Sequence, residues 1–193
     1  MTSTPHRVVI AGGGVAGLEA LLALHALGGD RVELTLVSPS PDFVYRPLAV
    51  AEPFALGRAR RTPLAEATRS TGATFVHAPI ERVDPAERTV RLGDGSTLAY
   101  DSLVLAMGAA SEPAFGDADV YTWDDSRDVD AVGGLLRDLE EGYSQSLAIV
   151  IPPGPGWPLP AYELALLIAG DARGMGMNPD ITLVTPEHAP LAI

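Results

Sequence analysis

Apolar positions along the chain fall into short blocks with two different spacings. Arg7–Ala11 (RVVIA), Val32–Val37 (VELTLV), Asp101–Ala106 (DSLVLA), Leu147–Ile151 (LAIVI) and Ile181–Thr185 (ITLVT) are apolar and rich in β-branched residues. That pattern predicts strands buried in a parallel sheet. Between the first two, Val15–Leu27 is almost wholly Ala and Leu, interrupted by Glu19 and His25. It predicts a helix covered over much of its surface and ended by Gly28-Gly29-Asp30. Strand, helix and strand within about thirty residues form one βαβ unit with a right-handed crossover.

The middle of the chain is less regular. Ser38–Arg61 carries Pro39, Pro41, Pro47 and Pro53, which predicts a long ordered loop with one turn of helix. Thr62-Pro63 then predicts a short helix ending at Gly72, capped by Thr62. Short strands follow near 73–76, 80–84, 88–92 and 97–99, with Asp94-Gly95 as a hairpin signal. Residues 1–108 thus read as a parallel core with an antiparallel layer on it. Further on, Val129, Val132, Leu135, Leu136 and Leu139 place an amphipathic helix over 126–141, weakened by Gly133-Gly134. The strand at 147–151, a helix from about Leu159 to Ala169 and the strand at 181–185 form a second βαβ unit. One such unit cannot cover both faces of a sheet, so this second part reads as incomplete.

The chemistry concentrates at the first strand–helix turn. Gly12-Gly13-Gly14-Val15-Ala16-Gly17 matches GxGxxG in the context that gives this motif meaning. Gly12 permits the tight turn, Gly14 lets the backbone approach a pyrophosphate, and Gly17 lets the helix sit close to the sheet. The acid that normally binds ribose is replaced by Ser38, a neutral contact or a plain turn residue. Arg46 is a surface arginine, or else contacts the dinucleotide or lines the flavin cleft. Trp157 shields a cofactor face or packs its loop. The second loop, Pro152–Pro160, stands where another glycine motif would stand, but its prolines remove N–H groups that hold phosphate. Glu163, placed in the first turn of the following helix, either favours the dipole or contacts cofactor.

Composition removes several alternatives. The 193 residues contain no cysteine and no lysine; all thirteen basic residues are arginine, against twenty-five acids, for a net charge of −12. Thiol chemistry, Schiff-base lysine chemistry and a GxxxxGK[ST] phosphate loop are therefore excluded within this chain. No basic stripe marks a nucleic-acid binder. The four histidines lack metal-ligand spacing, so no metal is expected, and no GxSxG elbow or informative carboxylate pair is present. Ten of the acids lie in residues 111–141 beside only two arginines, which suggests a solvated connector or a docking surface for a cationic partner. With no signal peptide and no apolar run of roughly 20 residues, the expected location is cytoplasmic.

These features resemble the pyridine nucleotide–disulfide oxidoreductase superfamily, most of all its branch of type II NADH dehydrogenases and sulfide:quinone oxidoreductases. The matching stretches are VVIAGGGVAGLEALLAL, PDFVYRPLAV, TFVHAPIERVDPAERTVRLGDGSTLAYDSLVLAMGA and WPLPAYELALLIA. The resemblance implies an α/β fold of FAD/NAD(P)-binding, Rossmann-like type: three layers with an antiparallel β layer, followed by the start of a second such domain. Its division would be an FAD-binding segment over 1–110 with a β-meander at 73–106, an acidic connector and helix over 111–146, and an incomplete NAD(P)-binding part over 147–193.

In that family the first glycine loop holds the FAD pyrophosphate, which carries to Gly12, Gly14 and Gly17. A backbone contact to adenine falls near Val76 and His77. The flavin-facing turn, usually Ala-Thr-Gly, is here Ala106-Met107-Gly108, so the threonine hydroxyl is lost. The glutamate of the nicotinamide domain falls on Glu163. The implied reaction is hydride transfer from NAD(P)H to FAD, then reoxidation by a quinone or other small-molecule acceptor. Sulfide oxidation in the family needs cysteines, and Trp157 lies about where one would stand. Complete members add a Gly-Asp segment and a C-terminal region for dimerisation or membrane docking. The chain therefore resembles the front part of such an enzyme, with a homodimer and a peripheral place at the inner membrane face expected only of the whole protein. A non-catalytic dinucleotide-binding remnant or module is the other reading.

Overall fold

The protein is described from a computed structural model, which covers residues 4–109, 112–116, 120–123, 129–154 and 157–192. Parts of the expected acidic connector, the start of its helix at 126–128, and Pro155-Gly156 of the second loop lie outside the described residues. The elements run β1 (His6–Ala11), α1 (Val15–Gly28), β2 (Val32–Ser38), β3 (Asp42–Tyr45), β4 (Arg60–Pro63), α2 (Leu64–Arg69) and β5 (Thr74–His77). Then come β6 (Ile80–Asp84), β7 (Thr89–Leu92), β8 (Thr97–Ala99) and β9 (Ser102–Leu105). The last are α3 (Val129–Glu140), β10 (Ser146–Val150), α4 (Leu159–Gly174) and β11 (Asp180–Val184). A 3₁₀ helix, Arg46–Phe54, lies between β3 and β4.

The chain forms two compact units. The first comprises Met1–Val44 and Arg61–Ala110, the second Tyr45–Arg60 and Ser111–Ile193. Residues 45–60, expected within the first segment, group with the second unit.

In the first unit, β5, β2, β1 and β9 form a parallel sheet in that order. Val8, Ile10, Leu34 and Leu36 meet Leu21 of α1 and Leu64 of α2 on one face. Val9 and Val37 face the other way, onto Val90, Leu92 and Tyr100 of the antiparallel layer. Both faces are covered, which is why β1 reads as an unbroken apolar run. Ile10 and Leu36 are fully buried, each contributing about 2 kcal/mol of hydrophobic stabilisation.

Three expectations need correction here. The antiparallel layer is β6-β7-β8 alone, shorter than the meander expected over 73–106; β5 belongs to the parallel sheet, as does β9, whose apolar run predicted it there. The reason is that β5 aligns Thr74–His77 with Thr35–Ser38 and completes that sheet beyond β2. The expected Thr62 cap is also absent, because Arg60–Pro63 pairs with β3 as a ribbon and α2 starts only after Pro63. Finally, α1 is less covered than expected. Gly17 and Leu21 are buried, but Leu22 and Leu27 are exposed, because the sheet touches one side of the helix only.

The amino-terminal edge of β1 is tied to β9 by a charged clamp. Arg7 donates to both carboxylate oxygens of Asp101, through Nη2 at 3.0 Å and Nε at 3.2 Å, and its backbone N–H donates at 2.8 Å. Hydrogen bonding from the guanidinium lowers the Asp101 carboxyl from 3.8 to about 2. A depressed acid stabilises the fold above its unfolded value and loses that contribution as pH falls towards the folded one. Stability should therefore drop between about pH 4 and 2, and Asp101→Asn should flatten that part of the acid-unfolding curve. Identical acid profiles for the two proteins would refute this.

In the second unit, α3 and α4 pack Val132, Leu136, Leu139 and Ile168 against Leu147, Ile149 and Ile181. Strands β10 and β11 pair in parallel. They were expected to be buried strands, but exposure alternates along both, leaving Val150 and Val184 exposed. Both helices use the same sheet face, so the other face has no cover from them. Among the described residues, no helix is long and apolar enough to cross a membrane.

Candidate functional site

All four parallel strands of the first unit point the same way, so their carboxyl ends share one edge. Register sets Ala11 beside Val37 and Leu105, and Ser38 beside His77. Hydrogen bonds extend the row past the strands: Gly12 N–H to the Val37 carbonyl, 2.8 Å; Ala106 N–H to Ala11, 2.8 Å; Ala78 N–H to Ser38, 3.0 Å. Gly12, Ser38, His77 and Ala106 are thereby brought to one edge although they span almost a hundred positions. This carboxyl edge is where open α/β sheets bind ligands.

The glycines at this edge have distinct roles. Gly12 has φ +119°, and a β-carbon there would overlap the Ala106 carbonyl. A β-carbon at Gly17 would overlap the Gly12 carbonyl oxygen, so α1 can sit this close to the turn only with glycine. Gly14 differs: a β-carbon would meet nothing within 4 Å. Open space therefore lies at the helix N-cap. Gly14 provides no side-chain cap, the first turn carries no acid, and the nearest intrahelical bond runs from Leu18 N–H to Gly14 O. Unpaired N–H groups, the positive end of the dipole and open space together fit an anionic diphosphate.

Gly13 was not singled out by sequence reasoning, yet it too is crowded, by side chains rather than by backbone. A β-carbon there would overlap Leu64 Cδ1 and approach Ser38 Oγ to 3.0 Å. The uninterrupted Gly12-Gly13-Gly14 was its one signal. Ser38 is 3% exposed and its Oγ accepts the Ser40 N–H at 3.1 Å. The expected ribose-side hydroxyl is thus turned inward, beneath the loop, because Leu64 and Gly13 close over it. Ser38→Ala should cost about 1 kcal/mol through the lost acceptor, read as a shifted denaturant midpoint. An unchanged midpoint would show that the Ser40 turn does not depend on it.

Val76 is half-buried in β5 and His77 is exposed; His77 Nε2–H donates to the Pro39 carbonyl at 3.1 Å. Phe75 and His77 stack at a centroid separation of 6.3 Å. On the other side of the glycine turn, Ala106 is half-buried while Met107 and Gly108 are exposed. Arg46, Trp157 and Glu163 belong to the second unit and are described apart. Arg46 is exposed at the first position of the 3₁₀ helix, and Trp157 is exposed ahead of α4. Glu163 is the fifth residue of α4, past the first turn where it was expected. Helix α4 starts at Leu159, where it was expected, and has Pro160 in its opening turn, so counting from that start puts Glu163 just past the first four residues. No group of metal-ligating side chains occurs among the described residues.

With this geometry established, comparison with known proteins identifies the family. The model of the pyridine nucleotide-disulphide oxidoreductases matches residues 6–150. The chain belongs to that family. FAD and NAD(P)H are the cofactors that go with it. A curated relative, a ferredoxin–NAD(P)+ reductase from a Sphingomonas species, is 30% identical over 116 residues, covering 58% of this chain and 28% of the relative. The sulfide:quinone oxidoreductase of Aquifex aeolicus superposes with a TM-score of 0.80 at 26% identity, over 91% of this chain and 42% of that one. NDH2 from Plasmodium falciparum shares the fold at a TM-score of 0.68 and 16% identity, over 93% and 41%. These likenesses agree with the resemblance drawn from the sequence, Rossmann-like architecture and branch alike. The chain spans less than half the length of each of these relatives.

Proposed function

We propose that the protein is an FAD-dependent oxidoreductase that takes hydride from NAD(P)H and passes electrons to a quinone or another acceptor. The 193 residues supply its N-terminal portion. One observation carries this reading: the open space over Gly14 at an uncapped helix N-terminus, on the carboxyl edge of a parallel sheet. Family membership supports it.

In this reading Gly12, Gly14 and Gly17 hold the FAD pyrophosphate through backbone N–H groups. Ser38 shapes the ribose side through the Ser40 turn. Val76 and His77 border adenine, and Ala106 and Gly108 border the flavin end. Bound flavin supplies the hydride-accepting and electron-releasing chemistry. The chain's own work is to orient it, and no side chain here is assigned a proton or hydride of its own. Arg46 and Glu163 are assigned to the dinucleotide and nicotinamide sides, with the proposed division into an FAD-binding part and the start of an NAD(P)-binding part.

A second reading is a dinucleotide-binding module without turnover. It is favoured by the start of α4, where Pro158 and Pro160 take away N–H donors that a second pyrophosphate would use. One experiment separates the two. The purified protein is given FAD, and its visible absorbance is followed under anaerobic titration with NADH and with NADPH. Bleaching by either, with recovery on adding a quinone, supports the enzyme. Tight FAD binding with no bleaching supports the module. A protein that takes up no FAD contradicts both.

A further inference from the structure

The segment Tyr45–Arg60 has features that dinucleotide binding does not use. Its 3₁₀ helix buries Ala49 and Val50, and Phe54 packs into the core formed by α3 and α4. After it the chain turns at Ala55, whose φ is +55°. Three hydrogen bonds close the following loop. Ala55 N–H donates to Glu52 O at 3.1 Å, Leu56 N–H to Ala51 O at 3.2 Å, and Ala59 N–H to Glu52 Oε1. This loop holds Leu56 out in solvent, 71% exposed, on a shallow cleft of about 360 Å³ that Glu52 and Arg58 also line.

A leucine held outwards by a closed loop forgoes burial, and its backbone has little freedom left to lose on binding. Both properties suit an interface anchor. The charge around it contrasts with the rest of its unit. Residues 45–60 hold three arginines and one acid, and that acid, Glu52, is engaged with Ala59. Residues 111–193 hold fourteen acids and three arginines. Arg58 and Arg60 are both exposed. An apolar anchor flanked by arginines has the composition of a protein-docking centre.

We propose that this loop docks an acidic electron-transfer protein, with Leu56 entering an apolar spot and Arg58 and Arg60 meeting carboxylates. The proposal rests on the flavin oxidoreductase reading and names the acceptor's class. The balance is NAD(P)H plus two oxidised one-electron carriers, giving NAD(P)+, a proton and two reduced carriers. The acidic remainder of the unit repels such a partner, so the arginines set where it lands. Screening over about 8 Å at physiological salt limits that repulsion to close approach.

The test uses a plant-type [2Fe–2S] ferredoxin as probe and calorimetric titration onto the whole chain. Arg58→Glu/Arg60→Glu and Leu56→Asp are each expected to weaken binding by roughly tenfold or more. Circular dichroism and NADH-driven ferricyanide reduction should stay as in the unaltered protein. Ferredoxin bound equally well by the variants would overturn the proposal, as would no binding to the unaltered protein. Phosphatidylglycerol vesicles captured in ferredoxin's place would also overturn it, marking the loop as a membrane contact. Loss of ferricyanide reduction in the unaltered protein would count against the flavin reading, while the calorimetric result still judges the docking loop by itself.

Discussion

Gly17→Ala should destabilise the protein by about 3 kcal/mol, seen as a fall in melting temperature of roughly 10 °C. The added methyl would overlap the carbonyl oxygen of Gly12. That oxygen is backbone, fixed because the Gly12 N–H is itself bonded to Val37. Neither side can move without opening the β1–α1 turn, so the strain passes into Ile10 and Leu21 beneath it. A melting temperature within a degree or two of the unaltered protein would show that the close approach is not needed.

Gly14→Val tests the other half of the site and should behave oppositely. Gly14 has an extended backbone, φ −81° and ψ −172°, which valine adopts readily, and no atom lies within 4 Å of its β position. Stability should change by less than about 0.5 kcal/mol. FAD affinity should fall about a hundredfold, equivalent to about 2.7 kcal/mol, because the side chain would fill the space proposed for the pyrophosphate at the helix N-terminus. Flavin fluorescence titration reads the affinity and thermal unfolding reads the fold. Unchanged affinity would remove the diphosphate from this position.

The two glycines show what the sequence alone could convey. GxGxxG after RVVIA located the turn and assigned roles to Gly12, Gly14 and Gly17, since those roles follow from local geometry. It did not reveal the crowding at Gly13, which comes from Leu64 some fifty positions away, or the inward turn of Ser38 onto the Ser40 N–H. The same limit explains the strands. RVVIA and LAIVI look alike, yet β1 is covered on both faces while β10 is covered on one, because cover comes from distant elements. Thr74–His77 carried strand propensity but no mark of its partner, and only its register with β2 places it in the parallel sheet. Pro63 delayed α2, whereas α4 starts at Leu159 as expected and runs on to Gly174, past the expected Ala169. The Leu56 loop left no periodic signal at all, since its order comes from the Glu52 side chain and the turn at Ala55.

The central claim is that backbone N–H groups at the start of α1 hold the FAD pyrophosphate. Its most direct test is titration of ¹⁵N-labelled protein with FAD, followed by amide chemical shifts. The account predicts the largest changes at Gly14, Val15, Ala16 and Gly17, with smaller ones at His77 and Met107. Saturable FAD binding that leaves these four amides unmoved would contradict it.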